Sequence, residues 1–255
     1  MLRRRGRSGA AGSAVRAEGA TVRAATGGWT AKPPQIRAVT ATADLVTVGA
    51  GGNSVGFSEI VEACVKRGLA SFGTGTPCAD HYARGSGAAG LDARFTALEA
   101  DFAALLKEIR TRAPHAGVAV VGYPAVVDAA SGCAWGSWHQ LGTVAKGDMP
   151  WLDTLERRVN TLLRDQARRA GAVFVDTYSS STGHGVCASD GQRWMYGIKD
   201  NLTGPGDQSD PPSELCRSIP ARGEACTVLH PNLQGTTHQA DRVTETLTAL
   251  GEAGR

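Results

Sequence analysis

The 255-residue sequence contains no run of 18 apolar residues, no Cys-x-x-Cys pair and no Gly-Lys-Ser or Gly-Lys-Thr motif. The first absence means that no membrane-spanning helix and no stable membrane insertion are expected. The second argues against zinc held by paired cysteines, and the third excludes a P-loop. The net charge is only +3 and aromatic residues make up only 5% of the chain, so nucleic acid is not an expected partner.

The N-terminal residues are rich in arginine, glycine, alanine and serine. Arginine occupies positions 3, 4, 5 and 7, but no basic face interleaved with aromatic residues follows. This composition predicts a disordered or aberrant head over residues 1–16. The same stretch lacks an apolar segment long enough for a signal peptide. Residues 17–255 are long enough for one domain with a full hydrophobic core.

Six cysteines, an even number, suggest either disulfide bonds or a metal site. For a metal site the sequence offers Cys78 close to His81, and Cys226 close to His230. We favour sequential disulfides, because these would staple loops that lie beyond the candidate strands. The predicted pairs are Cys64–Cys78, Cys133–Cys187 and Cys216–Cys226. Such bonds indicate an oxidising compartment and hence secretion, although the sequence as given shows no signal peptide.

Apolar runs of strand length alternate with amphipathic helical patterns along the chain. Strands are predicted at 44–48, 118–127 and 172–178, and helices at 55–68, 91–114, 151–171 and 235–250. Gly68 is predicted to cap the first helix, residues 69–90 to form a long loop, and residues 179–226 to hold no clear element. Strands that alternate with long helices require crossover connections, so the sequence predicts an α/β fold with a parallel sheet covered on both faces.

In such folds, ligands bind beyond the carboxyl ends of the strands. The first predicted strand runs into a glycine-rich segment that delivers Asn53 to this edge. Two other interpretations of this segment stay open. One is a dinucleotide-binding loop, although Ser54 stands where a third glycine is needed. The other is that Asn53 caps the helix that begins near Val55.

His230 is predicted on a loop at the same edge of the sheet. Pro231 also biases His230 toward an extended conformation. A histidine opposite an amide donor suits acyl transfer, in which a base activates a serine and a donor binds the oxyanion.

Several stretches together resemble the SGNH hydrolases, the GDSL-type esterases and lipases, and in particular their secreted actinobacterial branch. EGATVRAATGGWTAKPPQ resembles the second sequence block of that family, with Gly19 at its glycine. ADLVTVGAGGNSVGF resembles the third block, with Asn53 at its asparagine. LHPNLQG resembles the fifth, with His230 at its histidine. The usual sequence patterns and spacing of this branch are also found in three further stretches: RAPHAGVAVVGYPAV, GAVFVDTY and GHGVC.

The resemblance implies a three-layer α/β/α sandwich with a flavodoxin-like sheet, and a carboxylic-ester hydrolase that needs no cofactor and no metal. A serine would attack the ester carbonyl while His230 takes its proton. Gly19 and Asn53 would form the oxyanion hole. The expected substrate is a small-molecule or lipid ester, and we expect a monomer.

The first block of the family, Gly-Asp-Ser on the first strand, is missing from the sequence. The nearest equivalent is Ser8 in Gly6-Arg7-Ser8-Gly9, although only ten residues separate Ser8 from Gly19. The sheet is therefore expected to lack its first strand, and the simplest explanation is a start codon assigned too late or a frameshift upstream. The alternative function is a non-catalytic or vestigial relative that has lost its nucleophile. Thr227 stands where many members carry the aspartate that orients the histidine. A backbone carbonyl can serve instead, which gives a serine–histidine dyad; Asp207 and Asp210 are alternatives that the spacing does not support.

Overall fold

A computed structural model of the protein describes residues 21–23, 29–31, 34–127, 129, 132–204, 214–219 and 223–253. The predicted head at 1–16, which contains Ser8, lies outside the described residues, and so does Gly19. The predicted start of the domain at residue 17 lies outside them as well.

The centre of the fold is a parallel sheet of three strands, in the order β3, β4, β5. The strands are β3 (Leu45–Val48), β4 (Gly117–Val121) and β5 (Val173–Val175). Val46 pairs with Val118, and Val120 pairs with Phe174. Each connection between these strands contains a long helix, as crossover connections in parallel sheets require. The predicted α/β fold with a parallel sheet is confirmed.

Burial along the strands shows how the sheet is covered. Val118, Ala119 and Val120 of β4 are each at most 5% exposed. Because successive side chains of a strand point to opposite faces, both faces of β4 are covered. β3 differs, since Leu45 is 45% exposed and Thr47 is exposed. Within the described residues, β3 pairs with β4 alone and forms an edge of the sheet.

Six helices accompany the sheet in the described residues. They are α1 (Phe57–Ala70), α2 (Pro77–Ala83), α3 (Gly85–Arg112), α4 (Met149–Arg169), α5 (Glu214–Ser218) and α6 (Leu233–Ala253). Helices α1, α3 and α4 each bury an apolar stripe, as in α3, where Phe95, Leu98 and Phe102 are at most 4% exposed. None of the helices described is long and apolar enough to cross a bilayer.

Two short antiparallel pairs lie outside the main sheet. The first joins β1 (Thr21–Arg23) to β2 (Trp29–Ala31), and the second joins β6 (Lys199–Asp200) to β7 (Ala225–Cys226). Two 3-10 turns, Gln35–Ala38 and Lys146–Asp148, complete the described elements. The second pair lies immediately before His230 in the chain, and so fixes the start of the loop that carries this histidine.

The predicted loop at 69–90 is wrong. Helix α2 lies inside it, and α3 begins at Gly85. The Asp148 carboxylate accepts hydrogen bonds from the backbone N–H groups of Cys78 and Ala79, at 3.2 and 2.9 Å. These N–H groups have no partner within their own helical turn. A residue 70 positions away thus caps α2, which local sequence patterns do not reveal.

Gly68 does not cap α1, because the helix continues to Ala70. A Cβ atom at Gly68 would lie only 2.0 Å from the backbone oxygen of Thr143. The glycine therefore allows the segment before α4 to pack directly on the helix backbone.

The cysteines form the three pairs that the sequence favours: Cys64–Cys78, Cys133–Cys187 and Cys216–Cys226. No cysteine of the chain is left free to serve as a metal ligand. The first bond joins α1 to α2, and the third joins α5 to β7. The loops that these bonds close span between 10 and 54 residues.

Candidate active site

Asn53 lies in a tight turn between β3 and α1. Within this turn the N–H of Ser54 donates to Gly51 O at 3.0 Å, and the N–H of Gly56 donates to Asn53 O at 3.1 Å. Gly51 has φ +126°, a conformation that residues with side chains rarely adopt. The turn carries the chain off the carboxyl end of the strand and leaves Asn53 exposed.

The interpretation of Asn53 as a helix cap is wrong. The N-cap of α1 is Gly56, three residues further on, with φ +71° and no side-chain cap hydrogen bond. The N–H of Phe57 instead finds the backbone oxygen of Gly52 at 3.2 Å. The amide of Asn53 therefore does not stabilise the start of α1.

Tyr123 supports the Asn53 turn and is a residue that the sequence analysis missed. Its hydroxyl oxygen accepts the backbone N–H of Gly52 at 2.9 Å. A Cβ atom at Gly52 would lie 3.2 Å from the tyrosine ring, so a side chain at this position would require the ring to shift by a few tenths of an ångström. Burial raises the pKa of the Tyr123 phenol, which keeps the hydroxyl neutral and still able to donate a proton.

Asn160 of α4 fixes the backbone of Tyr123 from the other side. Its Oδ1 accepts the N–H of Tyr123 at 2.8 Å, and its Nδ2 donates to the carbonyl of Tyr123 at 3.0 Å. The helix is thus linked through Tyr123 to the turn that carries Asn53. The sequence signal was a tyrosine inside the predicted strand at 118–127, two residues after the end of β4, but its partner Gly52 lies 71 residues away.

The segment that follows Tyr123 rests on a buried carboxyl group. Glu156 of α4 accepts the N–H of Val126 with both oxygens at 3.0 Å. Burial raises the pKa of Glu156 well above its ordinary value. The hydroxyl of Ser181 accepts the N–H of Ala125 at 2.7 Å and donates to the carbonyl of Tyr178 at 3.0 Å. The segments that leave β4 and β5 are therefore joined at the carboxyl edge of the sheet.

His230 follows a strained turn. Val228 has φ +34° and Leu229 has φ +63°, and both side chains are buried. A positive φ at a β-branched residue such as valine is rare and costs free energy. The turn brings Nδ1 of His230 within 2.7 Å of the carbonyl oxygen of Thr227.

This contact fixes the tautomer of the neutral imidazole. A carbonyl oxygen can only accept a hydrogen bond, so Nδ1 must carry the proton. The lone pair of the neutral ring is then on Nε2, which is the atom that a general base needs. The side chain of Thr227 is itself fully buried, and its hydroxyl donates to the carbonyl of Gly197 at 2.9 Å.

The chain at 193–198 holds the histidine loop along its length. The N–H of Tyr196 donates to the carbonyl of His230 at 2.9 Å. Asn232 donates its backbone N–H to Trp194 O at 2.9 Å and its side-chain Nδ2 to Arg193 O at 2.7 Å. Its Oδ1 accepts the N–H of Gly235 at 3.0 Å and so caps α6.

Asn53 and His230 thus lie on loops with different supports. The Asn53 turn is held by Tyr123, and the His230 loop by residues 193–198. Convergence of these two side chains with the N–H of Gly19 on one cavity stays a prediction, as does the role of Ser8.

Comparison with known proteins identifies the family. The sequence profile of the GDSL-like Lipase/Acylhydrolase family matches residues 3–237. Lipase 2 of Streptomyces coelicolor is 35% identical over 167 residues, which cover 64% of this chain and 53% of that protein. An esterase of Streptomyces scabiei is 28% identical over 170 residues, covering 61% and 49%. The chain spans about half the length of these curated relatives.

Two solved structures share the fold. Phospholipase A1 from Streptomyces albidoflavus NA297 aligns with a TM-score of 0.53 and 18% identity, covering 83% of this chain and 72% of that one. The extracellular lipase from Streptomyces rimosus aligns with a TM-score of 0.52 and 18% identity, covering 83% and 73%. With a profile match over most of its length, the chain belongs to the GDSL-like lipase and acylhydrolase family, the SGNH hydrolases.

Proposed function

We propose that the protein is a carboxylic-ester hydrolase that works by serine–histidine acyl transfer. The observation that carries the proposal is the 2.7 Å contact between Nδ1 of His230 and the carbonyl oxygen of Thr227. It orients the ring and leaves the lone pair on Nε2. In this reaction Nε2 takes the serine proton as the oxygen attacks the ester carbon, and then returns it to the leaving alcohol. Water repeats the cycle to release the acid.

The Thr227 carbonyl replaces the carboxylate that usually orients such a histidine. A carbonyl dipole stabilises the imidazolium less than a full negative charge does, but it holds the ring in the same orientation. We propose a serine–histidine dyad in which Thr227 is the positioning residue. The buried bond from its hydroxyl to Gly197 keeps the carbonyl aimed at the ring.

Asn53 and Gly19 are the proposed oxyanion donors. Exposure of Asn53 and the absence of a capping role leave its amide available to bind the tetrahedral intermediate. Loss of one such donor typically raises the barrier by about 3–4 kcal/mol. Ser8 is the proposed nucleophile, supported by a family match that begins at residue 3 and therefore runs through Ser8.

The expected substrates are lipid or small-molecule esters, because the relatives are named lipases and an esterase. We propose that the protein is secreted. The three disulfides and the extracellular lipase among its structural relatives support this. We further propose that it acts as a monomer.

A second candidate is a vestigial relative that binds esters without cleaving them. The missing Gly-Asp-Ser block favours it. The two candidates differ in one reaction, because only a hydrolase displaces fluoride from a fluorophosphonate and becomes covalently labelled on its serine.

The test combines a p-nitrophenyl ester assay with fluorophosphonate labelling of wild type, His230→Ala, Ser8→Ala and His115→Ala. His115 is an exposed histidine far from the site in sequence and serves as the matched control. Hydrolysis and labelling by wild type and by His115→Ala, and their loss in His230→Ala, are the expected results. Labelling that survives Ser8→Ala would show that the nucleophile is a residue other than Ser8. A wild-type chain that neither hydrolyses nor labels would favour the vestigial alternative.

A further inference from the structure

The most exposed large apolar side chain among the described residues belongs to Phe72, directly after α1. It is 81% exposed and has φ +52°, so an aromatic residue here adopts the left-handed conformation and points into solvent. Leu69 and Trp135 are also exposed, by 56% and 46%. We refer to Leu69, Phe72 and Trp135 as the apolar tip.

Trp135 lies against the turn that presents Phe72. A Cβ atom at Gly73 would lie 2.6 Å from Cδ1 of Trp135, so the indole packs on the backbone next to Phe72. The indole N–H donates to the carbonyl of Thr143 at 3.0 Å. The polar atom of the tryptophan is therefore satisfied within the protein, and its apolar edge is left for contact with something outside.

The tip is rigidly built. The N–H of Gly73 donates to Gly68 O at 2.8 Å, and the hydroxyl of Thr74 donates to Ser71 O at 2.7 Å. The Cys64–Cys78 disulfide and the Asp148 carboxylate, which caps α2, hold both ends of the turn. A surface held this firmly loses little conformational entropy when it binds.

The chemistry of the tip matches a lipid–water interface better than another protein. Three side chains cannot provide the roughly 800 Å² per partner that a standard protein interface buries. Phenylalanine, leucine and tryptophan on a surface are, by contrast, the residues that enter the boundary of a lipid layer.

Lysines flank the tip. Lys66 lies one helical turn before Leu69 with its side chain 68% exposed, while its ammonium group also binds Glu62 at 2.6 Å. Lys146 is exposed as well. Cations beside inserted apolar groups complement the phosphate groups of phospholipid headgroups.

The tip adjoins the segment that follows β4. A cavity of about 530 Å³ runs beside it, lined by Gly73, Gly75, Thr76, Ala129, Lys146 and Met149 among others. Ala129 follows the segment at the carboxyl edge of the sheet, the edge at which the turn with Asn53 lies. A protein docked through the tip would therefore keep this edge close to the lipid.

We propose that the apolar tip inserts into the surface of aggregated phospholipid and docks the protein there. The inference deepens the proposed function, because it names aggregated lipid as the form in which substrate is met. Docking itself needs no catalysis, so the two ideas can fail separately.

The test is co-sedimentation with vesicles of phosphatidylcholine containing phosphatidylglycerol. Phe72→Asn removes the aromatic ring, while asparagine tolerates the left-handed conformation and so preserves the turn. Leu250→Asn, at a leucine on α6 that is 45% exposed and lies outside the tip, is the control. We expect Phe72→Asn to weaken vesicle binding about tenfold or more, as the loss of one buried aromatic side chain does. Leu250→Asn should leave binding unchanged.

His230→Ala should bind vesicles like wild type, and Phe72→Asn should hydrolyse a dissolved short ester like wild type. Loss of ester hydrolysis with intact docking would count against the active site alone. Wild-type protein that does not sediment with the vesicles, or Phe72→Asn that binds as tightly as wild type, overturns the docking proposal. A concentration-dependent dimer that Phe72→Asn abolishes also overturns it, in favour of self-association through the tip.

Discussion

The carbonyl oxygen of Thr227 lies 2.7 Å from Nδ1 of His230, and the hydroxyl of the same threonine donates to the carbonyl of Gly197. One buried residue therefore makes both hydrogen bonds: its carbonyl orients the imidazole, and its hydroxyl anchors the threonine to Gly197. The left-handed conformations of Val228 and Leu229 make the geometry possible, since they turn the chain back so that His230 faces Thr227.

Thr227→Val tests whether this threonine positions the histidine. Valine has the same shape but cannot donate to Gly197, so we expect a loss of about 1 kcal/mol in the free energy of unfolding. Turnover of a p-nitrophenyl ester should fall about tenfold with little change in KM, because the ring is misoriented while substrate binding is not. Thr227→Ser keeps the hydroxyl and should restore most of the turnover. A valine variant that loses stability but keeps full kcat would reduce Thr227 to a structural role.

Asn232 links the histidine loop to both α6 and Arg193. Asn232→Ala removes the cap of α6 and the donor to Arg193 O, and should cost about 1 kcal/mol or more by chemical denaturation. Asn232→Ser retains a capping oxygen but lacks the amide donor. We expect the serine variant to recover most of the stability while kcat stays low, because serine restores the cap of α6 but not the side-chain bond to Arg193 O, which helps to restrain the chain beside His230. Equal recovery of stability and kcat would show that the cap alone matters.

Tyr123→Phe tests the support of the Asn53 turn. The substitution leaves the N–H of Gly52 without its acceptor, at an expected cost of about 1–3 kcal/mol in unfolding free energy. It should also lower kcat, because the turn that presents Asn53 becomes mobile. If the tyrosine acts through Asn53, the double variant with Asn53→Ala should be no slower than Asn53→Ala alone. Additive losses of kcat would mean that Tyr123 acts on the reaction independently of that turn.

Regular patterns made the sheet and the long helices predictable. The apolar runs at 44–48 and 118–127 and the stripe that includes Phe95, Leu98 and Phe102 have the periods of buried strands and of an amphipathic helix. These periods arise from local geometry, so they can be read without knowledge of distant residues. The ends of the elements were predicted less accurately: β4 ends at Val121, whereas the predicted strand continued to residue 127.

The features that could not be predicted depend on contacts between distant residues. Helix α2 is only seven residues long. Two N–H groups of its first turn have no partner within the helix and donate to the carboxylate of Asp148 instead. Tyr123 acquires its role only through Gly52, and the positive φ values at Val228 and Leu229 contradict the local preferences of both residues. At the site itself, the sequence identified His230 and Asn53 as candidates but not the groups that hold them.

Glu156 makes the stability of the protein depend on pH in a defined direction. It is buried beneath the segment after β4 and accepts the N–H groups of Val126 and Val127. Burial raises its pKa well above the ordinary value of 4.5. The folded chain therefore holds this proton more tightly than the unfolded chain. Its contribution to stability is complete below pH 4.5 and is lost as the pH rises through the folded pKa.

Glu156→Gln removes the ionisable group and keeps an oxygen for the N–H of Val126. The unfolding free energy of the glutamine variant minus that of wild type should rise with pH above 4.5, by at most about 1.4 kcal/mol per pH unit. Asp176 provides the contrast. Burial opposes ionisation there, but hydrogen bonds from Ser179 and Tyr178 outweigh it and lower the pKa.

Stability from a carboxylate with a lowered pKa is present above its unfolded pKa and is lost as the pH falls. The difference for Asp176→Asn, taken as variant minus wild type, should therefore rise toward acid, opposite to the trend for Glu156→Gln. Urea denaturation of the three proteins between about pH 2.5 and 8 measures both slopes, because the change for Asp176 occurs as the pH falls below its unfolded pKa of 3.8. A flat difference curve for Glu156→Gln would mean that Glu156 ionises as readily in the folded chain as in the unfolded one. Its hydrogen bonds to the segment after β4 would then have to compensate fully for its burial.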